Sequence, residues 1–335
     1  MNRRVVTVFG GSGFIGRHLV KRLAAAGWQV RVAVRDPIAA EYLRTMGDVG
    51  QVNPLCAAVT DMANVQAAVT GADAVVNLVG ILYEKGRATF DAIHRQGALN
   101  VATAAKAAGV KRLAHVSALG ADKGSASAYA RSKAAGEEAV LAAFPGATIL
   151  RPSVVFGPED DFFNRFAQLA VTSPVLPVFT AECCRLVKDE TGRHIDAFGS
   201  GGPVFQPVWV GDVAAAIVKV ISEPQTVGRI YELGGPRRYS LKEVLELILE
   251  VTGRHNLLVP LPMWVAELQA KFLRFLPKPP LTPDQVKLLR VDNVVRGGKQ
   301  GLAELGIVPA AAEAELPTYL GRFRPRLHTA AGEKD

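Results

Sequence analysis

Short runs of β-branched and other apolar residues alternate with longer segments whose apolar positions recur every three to four residues. The short runs predict buried strands, and the longer segments predict helices. The predicted strands are residues 5–9, 29–34, 55–59, 74–80 and 112–117, and the main predicted helices are 17–23, 61–69 and 90–109. Because strands that alternate with helices pair in parallel through right-handed crossovers, the pattern predicts an α/β fold with a doubly wound, Rossmann-type sheet.

The composition indicates the broad class of protein to which the chain belongs, but it does not indicate a function. Hydrophobic residues make up 49% and charged residues 21% of the 335 residues, which excludes general disorder. The net charge of +8 is scattered along the chain, so nucleic-acid binding is not expected, whereas an anionic small molecule or a membrane surface is compatible with it. Three cysteines are too few for a disulfide framework and predict a reducing compartment.

A glycine-rich turn separates the first predicted strand from the first predicted helix. Its spacing, G-x-x-G-x-x-G, lets the backbone turn tightly and approach a pyrophosphate while the helix packs on the strand. The free N–H groups of the following helix then stabilise the phosphate charge. We predict a dinucleotide site contacted by Gly10, Ser12, Gly13, Phe14, Ile15 and Gly16.

The residues after the second strand bear on which dinucleotide fits. A site for NAD usually has Asp or Glu at this place, to bind the ribose 2′-hydroxyl. Here Arg35 comes first and Asp36 second. A guanidinium can hold a 2′-phosphate through charge-assisted hydrogen bonds, and Arg17 offers a second contact. The sequence favours NADP(H), and NAD(H) stays open if Asp36, not Arg35, faces the ribose.

The ends of the third and fourth strands should lie on the same edge of the parallel sheet as the glycine-rich turn. Val59 ends the third predicted strand, and Leu78, Val79 and Gly80 end the fourth. We therefore expect these four residues to line the dinucleotide.

Tyr129 and Lys133 are four residues apart on a predicted helix after the fifth strand, so they share one face. An ammonium group beside a phenol lowers the phenol pKa and favours the phenolate. Such a tyrosine can exchange a proton with an alcohol or carbonyl while a nicotinamide exchanges hydride, and the lysine can bind the nicotinamide ribose. The spacing is common by itself, but its place in a dinucleotide fold makes it specific.

Together these motifs resemble the short-chain dehydrogenase/reductase superfamily, in its extended or atypical branch. The resemblance is carried by the glycine turn, Ser117, the Tyr129–Lys133 pair, residues 150–158 and residues 208–214. It implies a catalytic role for Ser117, Tyr129 and Lys133. It also implies that Tyr129, Lys133 and Pro152 contact the cofactor.

A closer resemblance covers most of the chain. Residues 77–82, 90–94, 115–121, 156–166 and 281–285 are similar to the group of NADPH-binding accessory subunits of respiratory complex I (alpha-subcomplex subunit 9) and their bacterial relatives. This resemblance implies a tightly held dinucleotide with a structural or assembly role. It further implies partners among complex I subunits or quinone-biosynthesis proteins.

Several positions depart from the pattern of the extended-branch enzymes. Ala118 follows Ser117 where a second serine commonly assists the tyrosine, although Ser125 or Ser127 could substitute for it. His94 stands where asparagine is frequent in the long helix, and Ala58 where aspartate often meets the adenine. These departures favour a dinucleotide-binding accessory or assembly factor. The alternative is an active NADP(H)-dependent oxidoreductase or epimerase-like enzyme for a small or lipophilic carbonyl or alcohol.

The second half of the chain predicts a smaller C-terminal α/β lobe. We expect residues 1–156, completed by 208–234, to form the NAD(P)-binding domain, and 157–207 with 235–325 to form the lobe. Residues 326–335 are expected to be a disordered tail. Capping boxes predict helix starts at Ser240 and Thr282.

Three further expectations concern the lobe and the location of the protein. Residues 180–203 predict a hairpin or a mobile loop, and Cys183, Cys184 and His194 within it lack metal-site spacing, so no metal is expected. Residues 263–278 predict an amphipathic helix, which more often covers a core than contacts a membrane or partner. The expected location is the cytoplasm, with peripheral inner-membrane contact left open, or the mitochondrial matrix side in a eukaryote.

Overall fold

The computed structural model describes residues 4–180, 185–189, 192–273, 281–297 and 300–325. The strands are β1 (Val5–Phe9), β2 (Gln29–Val34), β3 (Val52–Cys56), β4 (Ala74–Asn77), β5 (Arg112–Val116), β6 (Thr148–Pro152), β7 (Val155–Phe156), β8 (Val175–Thr180), β9 (Arg185–Asp189), β10 (Gly192–Asp196), β11 (Val204–Phe205), β12 (Val208–Trp209), β13 (Ile230–Leu233), β14 (Tyr239–Ser240) and β15 (Leu257–Pro262). The α-helices are α1 (Phe14–Ala25), α2 (Met62–Val69), α3 (Ala98–Ala107), α4 (Ala128–Ala143), α5 (Phe163–Thr172), α6 (Val210–Ser222), α7 (Leu241–Thr252), α8 (Met263–Leu273), α9 (Pro283–Leu288) and α10 (Ala312–Leu320). Short 3-10 helices cover Glu41–Met46, Pro224–Thr226, Ala303–Leu305 and Gly321–Phe323.

Seven parallel strands form the central sheet, in the order β13-β6-β5-β4-β1-β2-β3. The predicted Rossmann-type fold class is confirmed. Helices α1 and α6 pack on one face, where Leu19 and Ile217 are fully buried. Helices α2, α3 and α4 cover the other face through Val65, Val101 and Val140. The apolar runs of the sequence thus supply strands that are buried on both faces.

Three strands differ in extent from the predicted ones, the fifth only because it ends at Val116, one residue early. The third runs from Val52 to Cys56, earlier than predicted, and it includes Pro54. A proline is tolerated there because β3 lies at the edge of the sheet and needs hydrogen bonds on one side only. The fourth strand ends at Asn77, whose side-chain Oδ1 accepts a hydrogen bond from the Val79 amide and turns the chain.

The predicted helix over residues 90–109 is two segments. Asp91–Gly97 is π-helical, and α3 continues from Ala98. Close packing surrounds this segment: a Cβ on Gly97 would lie 2.7 Å from a Val59 methyl group, and one on Gly136 of α4 would lie 2.2 Å from the His94 carbonyl oxygen. The wider π turn therefore presses directly against the helix that carries Tyr129. Such turns are frequent at functional sites.

The smaller lobe has its own apolar core. Strands β8 and β15 pair in parallel, and helices α5, α7, α8 and α10 contribute buried residues around them, among them Phe163, Leu245 and Leu316. The predicted capping boxes are confirmed: Ser240 with Glu243 begins α7, and Thr282 with Gln285 begins α9.

The remaining lobe expectations have mixed outcomes. Between residues 180 and 203 the structure has the hairpin alternative, with β9 antiparallel to β10, whereas Cys183 and Cys184 lie outside the described residues. The predicted helix over 263–278 is α8 as far as Leu273, and the tail 326–335 is also outside the described part. No helix in the described ranges is long and apolar enough to cross a membrane.

Candidate functional site

The glycine-rich turn after β1 has the close geometry that its spacing predicts. Gly10 adopts φ 77°, a left-handed conformation that other residues rarely take. A Cβ on Gly16 would lie 2.4 Å from the Gly10 carbonyl oxygen, so α1 packs against the turn only because Gly16 has no side chain. The turn is further fixed by the Gly13 amide, which donates to the Gly10 oxygen over 3.0 Å.

Helix α1 begins directly beyond this turn without a side-chain cap. Gly13 occupies the cap position, so the first amide groups of α1 donate no hydrogen bond to a capping side chain. Ser12 is half-buried, and its carbonyl oxygen accepts a hydrogen bond from the Tyr42 hydroxyl. Phe14 and Ile15 lie half-buried in the first turn of the helix. A free helix N-terminus of this kind binds phosphate groups.

The ends of the central strands bring the turn and the helix α4 together. A Cβ on Gly10 would lie 3.3 Å from the Val79 side chain, and one on Gly80 would lie 3.9 Å from Lys133 Nζ. The Leu78 amide donates to the Phe9 carbonyl at the end of β1. The structure therefore places the glycine turn, residues 78–80 and Lys133 side by side.

Val59 and Pro152 occupy supporting positions around this edge. Val59 is buried against Gly97, and its carbonyl oxygen accepts a hydrogen bond from Asn100 Nδ2. Pro152 is buried at the end of β6, where its carbonyl oxygen accepts a hydrogen bond from the Leu119 amide. These contacts fix the strand ends that frame the candidate site.

The two residues after β2 have different environments. Asp36 turns back to its own loop, because its Oδ1 accepts a hydrogen bond from the Ala39 amide over 3.0 Å. Arg35 precedes it and is exposed. Arg17, on α1, places Nη1 3.4 Å from Glu159 Oε1, while its Nε is buried and has no hydrogen-bond partner among the described residues.

Tyr129 and Lys133 lie on the first two turns of α4. Lys133 is buried and donates from Nζ to the Val116 carbonyl oxygen over 2.9 Å. Burial lowers the pKa of Lys133 to about 8, although Glu137 opposes this shift. Burial raises the pKa of Tyr129 to about 12, so the predicted lowering of the phenol pKa is wrong. Withdrawal of the hydroxyl from water favours its neutral form.

His94 packs edge-on against the Tyr129 ring, with centroids 5.5 Å apart. Its Nε2 accepts a hydrogen bond from the Ile81 amide over 3.0 Å, so the ring proton lies on Nδ1, 2.8 Å from Ser132 Oγ. The Ser132 hydroxyl in turn donates to the Tyr129 carbonyl oxygen. Burial, assisted by the nearby Lys133 charge, lowers the pKa of His94 to about 3. This histidine is neutral at physiological pH and fixes the tyrosine ring.

The serines near Tyr129 have different partners. Ser117 is buried, and its hydroxyl has no partner among the described residues, while Ala118 follows it as the sequence indicates. Ser127 donates to Asp284 and accepts from the Ala130 amide, and Ser125 accepts from the Ser127 amide. The two serines considered as substitutes are thus engaged at the start of α4.

These features fit a bound dinucleotide. Arg17 Nε and Ser117 Oγ are buried polar atoms that have no partner in the part of the chain that the structure describes, and buried polar atoms are normally hydrogen-bonded. The uncapped start of α1 and the close glycine turn are suited to a pyrophosphate. Within the described ranges no three His, Cys, Asp or Glu side chains are grouped so as to hold a metal ion.

Two sets of residues at the site were not predicted from the sequence. Asp284, in the lobe, accepts hydrogen bonds from the first turn of α4, whereas the sequence pointed only to the cap of its own helix. Glu137, Arg151 and Glu232 form an ion-paired group directly beside Lys133. Glu137 follows Lys133 by one helical turn, and that spacing is the sequence signal from which their proximity could have been predicted.

Comparison with known proteins identifies related chains over nearly the whole length. The profile of the NAD dependent epimerase/dehydratase family matches residues 6–234. The mouse (Mus musculus) NADH dehydrogenase [ubiquinone] 1 alpha subcomplex subunit 9 is 35% identical, over 96% of this chain and 80% of that protein. A ceramide reductase of Caulobacter vibrioides is also 35% identical, over 78% of this chain and 74% of that protein.

Solved structures with the same fold hold either dinucleotide. The NADPH complex of an Escherichia coli quinone oxidoreductase has a TM-score of 0.70 and 22% identity, covering 94% of this chain and 99% of that one. The complex of UDP-glucose 4-epimerase from Bifidobacterium longum with NAD+ and UDP has a TM-score of 0.65 and 18% identity, covering 95% and 97%. At these identities the likeness shows the fold.

Proposed function

This chain belongs to the NAD dependent epimerase/dehydratase family, and we propose that it is an NADP(H)-binding accessory or assembly subunit of respiratory complex I. The observation that supports this proposal most directly is the close glycine turn before the uncapped start of α1, together with the alanine that follows Ser117. Binding is supported by the glycine turn, by the uncapped α1 and by Arg17 Nε, which has no partner among the described residues. The raised pKa of Tyr129 and the alanine after Ser117 do not favour rapid turnover.

The preference for NADP(H) rests on Arg35. This guanidinium is exposed at the end of β2, while Asp36 uses its carboxylate on the Ala39 amide. A ribose 2′-phosphate at this strand end would meet a cation, whereas a ribose 2′-hydroxyl would lack the usual free carboxylate. The E. coli quinone oxidoreductase with the same fold binds NADPH.

The proposed partner is inferred from the names of related proteins. Two curated relatives, from mouse and Arabidopsis thaliana, are 35% and 34% identical over 96% and 98% of this chain, and both are named as subunits of mitochondrial NADH dehydrogenase. We propose the corresponding complex as the partner, with the chain on its cytoplasmic or matrix side. Contact with the membrane surface, or with quinone-biosynthesis proteins, belongs to the same proposal.

A reductase is the second candidate, because Tyr129 and Lys133 are both present on α4 and a similar protein is named ceramide reductase. Bound NADPH would supply hydride to a carbonyl carbon. Tyr129, neutral because of its raised pKa, would donate its proton to the carbonyl oxygen. The same pKa makes the phenol a poor base, so this arrangement favours reduction of a carbonyl over oxidation of an alcohol.

Tyr129→Phe separates the two candidates. In a strain that lacks this chain, we expect the variant to restore assembled complex I as fully as the wild type, because the accessory role needs the bound dinucleotide and not the phenolic proton. The measurement is the NADH dehydrogenase activity of the assembled complex on native gels. Tyr231→Phe, which removes a phenol beside Arg229, is the matched control.

Two results would count against the accessory role. Complex I could be unaffected by loss of the chain, or Tyr129→Phe could fold and bind NADPH normally yet fail to complement. Since removal of a general acid typically costs about 10²–10⁴-fold in rate, the second result would support the reductase.

A further inference from the structure

The start of helix α4 is held by a residue from the smaller lobe. Asp284 Oδ1 accepts a hydrogen bond from the Ala128 amide over 2.8 Å. Its Oδ2 accepts from the Tyr129 amide over 3.0 Å and from the Ser127 hydroxyl over 2.7 Å. Three donors from successive residues therefore converge on one carboxylate that lies 155 residues further along the chain.

The position of the Asp284 carboxylate is itself fixed by contacts within the lobe. Asp284 is half-buried in the first turn of α9, where the Thr282–Gln285 capping box fixes the backbone and Val286 is buried in the lobe core. Lys287, one turn later, donates to the Ala126 carbonyl oxygen over 3.4 Å. Burial opposes ionisation of Asp284, but the bonds from Tyr129, Ser127 and Ala128 outweigh it and hold its pKa below the ordinary value.

The segment after α9 continues along the same edge of the sheet. Asn293 Oδ1 accepts hydrogen bonds from the Ser153 hydroxyl and the Val154 amide, just after β6. The Arg296 amide donates to Glu232 at the end of β13. This segment lies beyond residue 234, where the match to the family profile ends.

We propose that Asp284 is a positioning residue for the nicotinamide half of the dinucleotide. The proposal rests on the NADP(H) binding proposed above. Asp284 sets the first turn of α4, and with it the Tyr129 hydroxyl and Lys133 Nζ, while the glycine turn and Arg35 hold the adenine half independently. The carboxylate touches neither substrate nor cofactor, and it acts through α4.

Asp284→Asn tests this division of roles. The amide keeps the shape of the side chain but removes its charge and one acceptor oxygen. We expect NADPH to bind about tenfold more weakly, as the loss of a charge-assisted hydrogen bond allows. The fragment 2′,5′-ADP, which has the adenine and the 2′-phosphate but no nicotinamide, should bind as it does to the wild type. Both affinities are measured by calorimetry on the full chain after its bound nucleotide has been removed.

Asp292→Asn is the matched control, because Asp292 is an exposed aspartate of the same segment whose Oδ1 accepts one amide hydrogen bond from Val204, in the lobe. It should change neither affinity. Ser127→Ala removes one of the three donors to Asp284, and with it the cap on the Ala130 amide, and should weaken NADPH binding in the same selective way. It carries the test if Asp284→Asn does not fold.

The outcomes are distinguishable. Equal losses for NADPH and 2′,5′-ADP, or no loss for either, would overturn the positioning role, since a general loss of structure affects both halves of the site. Failure of the wild type to bind NADPH would instead overturn the proposed function.

Discussion

Replacing Arg151 with methionine is expected to lower the free energy of unfolding by about 3–5 kcal/mol, because it leaves two buried carboxylates without their cationic partner. Arg151 donates from Nε and Nη2 to both oxygens of Glu137, over 2.9 and 2.6 Å, and its Nη1 lies 3.6 Å from Glu232. The two glutamates are only 4% and 3% exposed. Urea denaturation of the variant and the wild type measures the effect.

Arg44→Met is the matched control, since Arg44 pairs with Glu41 at an exposed site where ion pairs contribute little.

A second comparison tests whether the unpaired carboxylates cause the loss of stability. Adding Glu137→Leu to Arg151→Met should recover part of the lost stability, because one stranded carboxylate is removed. A loss below about 1 kcal/mol for Arg151→Met would show that the three-residue group is not a tight ion-paired unit.

Acid should destabilise the folded protein through His94. The pKa of this residue is about 3 in the folded state, because burial and then the Lys133 charge disfavour the imidazolium, against an ordinary value of 6.5. The unfolded chain therefore binds an extra proton between these pH values. The stabilising contribution is complete above pH 6.5 and falls by about 1.4 kcal/mol for each pH unit below it, until about pH 3.

Two variants check the assignment. His94→Gln should remove this contribution and flatten the dependence of unfolding free energy on pH between 6.5 and 4.5, measured by urea titrations. The exposed His255→Gln should leave the slope unchanged. His115 contributes in the same direction, because burial also lowers its pKa, so the slope should not vanish in His94→Gln. An unaltered slope would mean that protonation of His94 does not lower the free energy of unfolding.

Much of the fold followed from local sequence patterns. The strands Val5–Phe9 and Gln29–Val34 have their predicted bounds, because each is an apolar run ended by a turn signal. Ser240 and Thr282 begin helices as their capping boxes indicate. The third strand begins at Val52, three residues before the apolar run that predicted it, and only the edge position in the finished sheet makes Pro54 acceptable.

The electrostatics of the site could not be predicted in the same way. The pair Tyr129 and Lys133 was evident from spacing, but the direction of the phenol pKa shift depends on burial by the His94 and Phe90 rings. The contact of Asp284 with α4 joins residues about half the chain apart. Its local motif is satisfied by a helix cap alone, so nothing in the sequence demanded the second role.

The central claim is that the chain retains NADP(H), and the nucleotide released from the purified, denatured protein tests it directly. Identification by mass should give close to one NADP(H) per chain. Arg35→Ala, purified in parallel, should retain less, since the loss of a charged hydrogen-bond donor to the 2′-phosphate weakens binding by roughly 10–100-fold. Arg44→Ala should match the wild type. Release of NAD(H) instead, or of no nucleotide, would contradict the account.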